Sequence, residues 1–373
     1  MPTVLVFVLL AAGRPADIPF EKITIDLGAN ESCALADLNG DGRLDIIAGE
    51  NWFAAPDWKK TRFREFYFTN NYIDSFSDLI LDGNGDGYPD IVSVGWFSKL
   101  ISLWTHPGRT GRAWTSVPVE EGFNVEFAFL VDLDNDGQAH EVLPQFGNRQ
   151  APLAWYEIVA GRAVRHQVSH QSYGHGIGAG DVSGDGRTDI LTPRGWFEAP
   201  PDPRSGSWRW HGDWESGDNG LGALGFLHVL DIDGDGRNDV LTSKAHDYGI
   251  FWLRNLGGGQ WQELMVDDSW SQAHATTLVD LNGDGKKDLL TGKRYMAHNG
   301  RDPGEREPLG VYWYEYQRTA DGQRIEWVKH VIDYSTRTGG GMQIPVADLD
   351  GDGDLDFVVA GKSGVYLFRN QTR

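Results

Sequence analysis

Seven stretches of nine residues carry oxygen-bearing side chains at the first, third and fifth positions and glycine at the sixth, and six of them carry one at the ninth as well. They begin at Asp37, Asp82, Asp132, Asp181, Asp231, Asp280 and Asp348. Alternating carboxylates around a sharp turn suit Ca²⁺, which takes roughly six to eight oxygen ligands at about 2.3–2.6 Å. The expected ligands are Asp37, Asn39, Asp41 and Asp45 in the first loop and Asp82, Asn84, Asp86 and Asp90 in the second. The third supplies Asp132, Asp134 and Asp136, and the fourth Asp181, Ser183, Asp185 and Asp189. The last three supply Asp231, Asp233, Asp235 and Asp239, then Asp280, Asn282, Asp284 and Asp288, then Asp348, Asp350, Asp352 and Asp356. Two loops depart from the pattern. His140 takes the ninth position of the third, where the following Glu141 either substitutes or does not, and Ser183 offers only a neutral hydroxyl. Calcium here is expected to hold a hairpin rather than to react.

A second set of side chains keeps the same period. Six residues before each loop stand Glu31, Phe76, Glu126, His175, Gly225, His274 and Met342. Five residues after each stand Glu50, Gly95, Gln145, Arg194, Lys244, Lys293 and Gly361, with Lys362 next to the last. Cations and imidazoles thus gather on the later repeats of an acidic chain, where composition alone predicts none. His175 and His274 either ligate a second divalent ion together with Glu126, or one of them is a general base. His246 and Tyr248 join the same rim, as do Tyr295, His298 and Arg301 in the insertion between Arg294 and Pro308. His228, three residues before its loop, faces the other way and has a structural role.

The elements that position these residues follow from the loops. A Gly- and Ala-rich strand precedes each loop and a β-branched strand such as Asp239-Val-Leu-Thr242 follows it. An aromatic third strand comes next, as in Gly249-Ile-Phe-Trp-Leu253, and a more polar fourth closes the unit, as in Trp327 to Ile332. At about 3.3 Å per residue, both periodic sets lie roughly 20 Å from the ions and reach one rim. Four antiparallel strands repeated seven times predict an all-β, seven-bladed β-propeller. The chain ends after the third strand of its last unit, so the segment Phe20 to Leu27 is expected to pair with Val365 to Phe368 and close the ring.

The seven loops, with Gly195-Trp-Phe197 and Val311-Tyr-Trp313, resemble the FG-GAP or VCBS repeat proteins, whose relatives include the integrin α-chain propeller. The resemblance runs from about Phe20 to Asn370 and implies a calcium-stabilised propeller, a fold that hosts adhesion modules, lectins and enzymes alike. A narrower stretch of features is similar to the propeller part of fungal aldos-2-ulose dehydratases, which eliminate water from oxidised sugars.

Composition bounds the rest. The formal charge is -21, and seven bound Ca²⁺ would bring it to about -7, so the acidity is mainly a metal signature. It argues against nucleic acid, which needs a basic face. Val4 to Ala12 form an apolar run too short to span a bilayer, which predicts an export signal over residues 1–16 and a single propeller over 17–373. The expected location is secreted, periplasmic or cell-surface. Cys33, the only cysteine, excludes a disulfide framework. No phosphate cradle, zinc-protease helix or nucleophile elbow is present.

These features predict a carbon–oxygen lyase that acts on a carbohydrate or other anionic small ligand by β-elimination, on an oxidised sugar or a uronate. His175 or His274 would abstract the proton, Arg194, Lys244 and Lys293 would neutralise the enolate, and Tyr295 or His298 would protonate the leaving oxygen. The alternative is a non-catalytic module that binds a glycan or a protein.

Overall fold

The computed structural model describes residues 16–373 apart from 111, 215–219, 321 and 323. The expected export signal, except for Ala16, lies outside the described residues. Each loop turns on itself through its first aspartate. Asp37 Oδ1 accepts from the backbone N–H of Gly40 (2.7 Å) and Asp41 (3.1 Å), and Oδ2 from that of Gly42 (2.8 Å). Gly42 has φ +86°, a left-handed conformation that glycine adopts without strain.

The ninth carboxylate pins three segments together. Asp45 accepts from Leu38 N (3.0 Å) at the loop's start and from Ala55 N (2.9 Å) at the end of the third strand. Asp189, Asp239 and Asp356 repeat the arrangement. In the third loop Glu141 does this work in place of His140, accepting from Leu133 N at 2.9 Å. Burial pushes these carboxyls up, Asp189 and Asp239 to about 6 and Asp288 and Glu141 to about 7.

The strands form five antiparallel sheets of four, one sheet of eight and a ribbon of two, Phe68–Thr69 with Tyr72–Ile73. The expectation of seven separate four-stranded blades is therefore corrected to five. The residues of the fourth and fifth repeats share the eight-stranded sheet, joined where Ile177–Gly180 runs parallel to Phe226–Leu230. The cause is glycine. A Cβ on Gly178 would lie 1.9 Å from the Leu227 carbonyl oxygen, so only a residue without a side chain lets the two innermost strands meet. Gly178→Val is expected to cost about 1–3 kcal/mol by forced separation, read as a melting temperature lower by several degrees.

Phe20–Asp26 pairs antiparallel with Gly364–Asn370, in the register Lys22↔Phe368, Ile23↔Leu367 and Thr24↔Tyr366, and forms the outer strand of that sheet. The aromatic third strands pack inward. Trp155, Trp313, Phe53, Phe251 and Phe368 are each at most 1% exposed. Three of these units repeat one device, a tryptophan stacked on a fourth-strand histidine that contacts a glutamate: Trp155 on His166 with Glu157, Trp196 on His211 with Glu198, and Trp313 on His330 with Glu315. Those three imidazoles are committed to packing. Among the described residues no helix is long and apolar enough to cross a membrane.

Candidate functional site

The rim away from the acidic loops is built from strand ends and turns. Glu126 lies in Val125–Val131, His175 and His274 just before Ile177–Gly180 and Ala275–Val279, and His246 in the turn between Asp239–Ser243 and Tyr248–Gly257. Their chain separations are large, yet one ligand atom from each lies within 4.8 Å of all the others. His175 Nε2 is 2.8 Å from Glu126 Oε2, His274 Nε2 is 3.2 Å from Glu126 Oε1, and His246 Nε2 is 3.1 Å from His175 Nε2. His246 Nε2 is also 3.9 Å from Glu126 Oε1.

The outer nitrogens fix which lone pairs point inward. His175 Nδ1 is 2.7 Å from the Leu224 carbonyl oxygen, which can only accept, so Nδ1 carries the hydrogen. His246 Nδ1 is 3.1 Å from Asp302 Oδ2 without the alignment of a hydrogen bond, and the two histidines on Asp302 outweigh its burial and hold that carboxyl at about 2, so its negative charge favours the hydrogen of His246 on Nδ1. With the His246 hydrogen on Nδ1, both neutral rings aim an Nε2 lone pair at the other across 3.1 Å. Two acceptors at that distance repel unless a positive charge lies between them. His274 Nδ1 finds no hydrogen-bond partner among the described residues.

Protonation follows the same demand. Burial would lower His175, but Glu126 more than offsets it and draws this imidazole above its ordinary value. Burial, and then Arg294, hold His274 well below the usual histidine range, and burial lowers His246. Burial would raise Glu126, yet His175 and His274 hold it well below the usual carboxylate range. The cluster thus has two neutral imidazoles, an ionised carboxylate and a place for one cation. A proton on His175 fills that place, and so would a metal ion. Four-coordinate bonds of about 2.0–2.1 Å put ligand atoms roughly 3.4 Å apart, close to the observed spacing.

Around the cluster runs a buried ion-pair chain. Arg294 Nη1 donates to Glu126 Oε1 (2.9 Å) and Nε to Glu31 Oε2 (3.2 Å), and Lys362 Nζ lies 3.3 Å from Glu31 Oε1 and 3.5 Å from the Tyr72 ring centroid. Burial pulls Lys362 down to about 8. Asp302 bridges His246 and His298, whose Nδ1 is 2.7 Å away. A cavity of ≈ 180 Å³ opens over Glu126 and Arg294 and is lined also by Trp96, Phe97 and His298.

The structure brings together Glu126, His175, His274, His246 and His298, and leaves other candidates apart. Lys293 is buried against Ser271, with Nζ 2.8 Å from Ser271 Oγ and 3.7 Å from Glu307 Oε2. Lys244 donates to the Leu221 carbonyl and lies over Phe251. Arg194 packs beside Gly220, and Tyr295 is 40% exposed with no hydrogen bond to a described residue. Glu50 is held by Arg62. The residue count that pointed to Lys293 gives the end of the molecule but not the direction of the side chain: its strand, Asp288–Gly292, ends one residue earlier, and Arg294 reaches the cluster instead. Asp302 carried no sequence signal beyond its place in the insertion. His228 is partly buried with Nε2 2.8 Å from Thr276 Oγ1, away from the rim cluster, and desolvation brings it down to about 4.

The FG-GAP-like repeat family matches residues 231–291, which contain the fifth and sixth acidic loops. Comparison with curated proteins gives no match. Among solved structures, the chain is similar to an Agrocybe aegerita lectin that recognises non-reducing terminal N-acetylglucosamine, at 16% identity and TM-score 0.52, covering 92% of this chain and 86% of that one. It is similar to the extracellular domain of a hybrid two-component system from B. thetaiotaomicron, at 12% identity and TM-score 0.51, covering 95% of this chain and 42% of that one. A BBS1 domain in complex with ARL6 matches at 11% identity and TM-score 0.55, covering 96% and 97%. These likenesses establish a propeller of antiparallel blades.

Proposed function

We propose that the chain is a seven-unit propeller, with the eight-stranded sheet serving as two fused blades and Phe20–Asp26 as the closing strand, and that its rim is a divalent-metal centre acting on a carbohydrate by β-elimination. Calcium in the acidic loops would hold the hairpins. The observation that carries the catalytic reading is the 3.1 Å approach of His175 Nε2 and His246 Nε2 beside Glu126. Terminal-sugar recognition by a lectin of the same fold supports the carbohydrate class by analogy.

His175, His246, His274 and Glu126 would hold the ion, with Leu224 O and Asp302 orienting two of the rings. With a fifth coordination position open toward the cavity, such an ion would stabilise negative charge on a carbonyl or carboxylate oxygen. His274, fully buried, holds and does not exchange protons with substrate. His298 is 49% exposed at the cavity, and Asp302 holds its Nδ1 hydrogen, leaving Nε2 to take the proton α to the carbonyl. As the carbon–oxygen bond at the β position breaks and the double bond forms, the imidazolium can return that proton to the departing oxygen. Protein incubated with zinc or manganese and with oxidised sugars or uronate oligomers is expected to generate the ultraviolet absorbance of a conjugated product. Binding without any such absorbance would leave a glycan-binding module in its place.

A further inference from the structure

The cavity over Glu126 is bounded by two segments that no repeat requires, the hairpin at Phe68–Ile73 and the insertion between Arg294 and Pro308. They touch: Asn71 Nδ2 donates to Asn299 Oδ1 (3.4 Å), and Asn299 Nδ2 donates to Asn70 Oδ1 (3.2 Å). Trp96 and Phe97, in the turn after Asp90–Gly95, supply aromatic surface to the same cavity. Arg301 lines it too from an exposed position; among the described residues its Nε donates to the His298 carbonyl (3.1 Å) and its two terminal nitrogens have no partner.

Resting on the catalytic reading above, we propose that this cavity takes one terminal sugar ring bearing a carboxylate, with Arg301 as the residue that reads the acid. Size sets the ring count. At ≈ 180 Å³ the space falls below the roughly 300–1,000 Å³ of pockets for drug-sized ligands, which suits a single ring and not a disaccharide. Chemistry sets the class, because indole and phenyl faces stack on the apolar face of a sugar while the side-chain amides of Asn70 and Asn299 meet its hydroxyls. A guanidinium with a free two-nitrogen edge matches a carboxylate in bidentate fashion. The carboxylate also acidifies the neighbouring C–H, which is the bond an elimination must break. The contact between the two loops closes the cavity on that side, so the ring enters end-on.

Calorimetric titration of the full zinc-loaded chain with D-glucuronate and with D-glucose tests this. Glucuronate is expected to bind at least tenfold more tightly, and Arg301→Gln to remove that tenfold while glucose affinity and zinc content stay unchanged. Equal affinity for the two sugars, or full glucuronate affinity in Arg301→Gln, would overturn the assignment. A uronate trimer should release single unsaturated units, and internal fragments would overturn end-on entry. Sugar discrimination that persists without any turnover would retain the cavity assignment and remove the elimination reading.

Discussion

A Glu126→Gln protein will lose the rim metal and at least 100-fold in kcat/KM, while its melting temperature falls by no more than a few degrees. The carboxylate is the point where the site's charges meet, its two oxygens lying 2.8 Å from His175, 3.2 Å from His274 and 2.9 Å from Arg294. An amide of the same shape keeps one accepting oxygen but brings an NH₂ against imidazole nitrogens and removes the negative charge. A hundredfold loss corresponds to about 2.7 kcal/mol of transition-state stabilisation, a modest demand for a residue that both ligates an ion and sets the protonation of two histidines. Stability changes less because Arg294 retains its bond to Glu31, so the substitution does not leave a buried cation unpaired. Metal content by mass spectrometry beside turnover separates the two effects: full metal with lost turnover would make Glu126 a base and not a ligand.

Removing calcium will have the largest effect on stability, and its size will depend on pH. Three loops each at a hundred times their dissociation constant would contribute roughly 8 kcal/mol of stability. The chelated protein adds a second term. Burial raises Asp288 to about 7 and Asp189 and Asp239 to about 6, above the roughly 3.9 of an unfolded aspartate. Between those values the folded state binds more protons than the unfolded one, so stability falls as pH rises from about 4 through 7. The chelated protein is therefore expected to melt higher at pH 5 than at pH 8, and added calcium to raise the melting temperature most at pH 8. A chelated protein that melts higher at pH 8 would show that these carboxylates are already ionised and paired without the ion.

The repeat and the rim were legible in the sequence for one physical reason: strand geometry converts residue counts into distances. The acidic loops fixed a register, and from it Glu126, His175 and His274 fell at one end of the molecule, where the structure brings them together. The reasoning failed where strands stop. Beyond Gly292 the count no longer says which way a side chain points, so Lys293 turns toward Ser271 and Arg294 takes its expected place. The count of separate blades failed for a related cause, since Gly178 marked a close approach of two backbones and nothing in the spacing revealed which backbone would approach. Asp302 was hidden because an insertion has no register to inherit. Glu141 was visible, but only the hydrogen bond from Leu133 N decides that it does the work of the ninth carboxylate.

The most direct measurement is an anomalous-difference map from crystals of protein loaded with zinc and calcium, collected on both sides of the zinc edge. The rim reading predicts a zinc peak within about 2.0–2.2 Å of the Nε2 atoms of His175, His246 and His274 and of one Glu126 oxygen. A rim without density while the acidic loops are filled, with His175 bonded directly to Glu126 as an imidazolium, would contradict it.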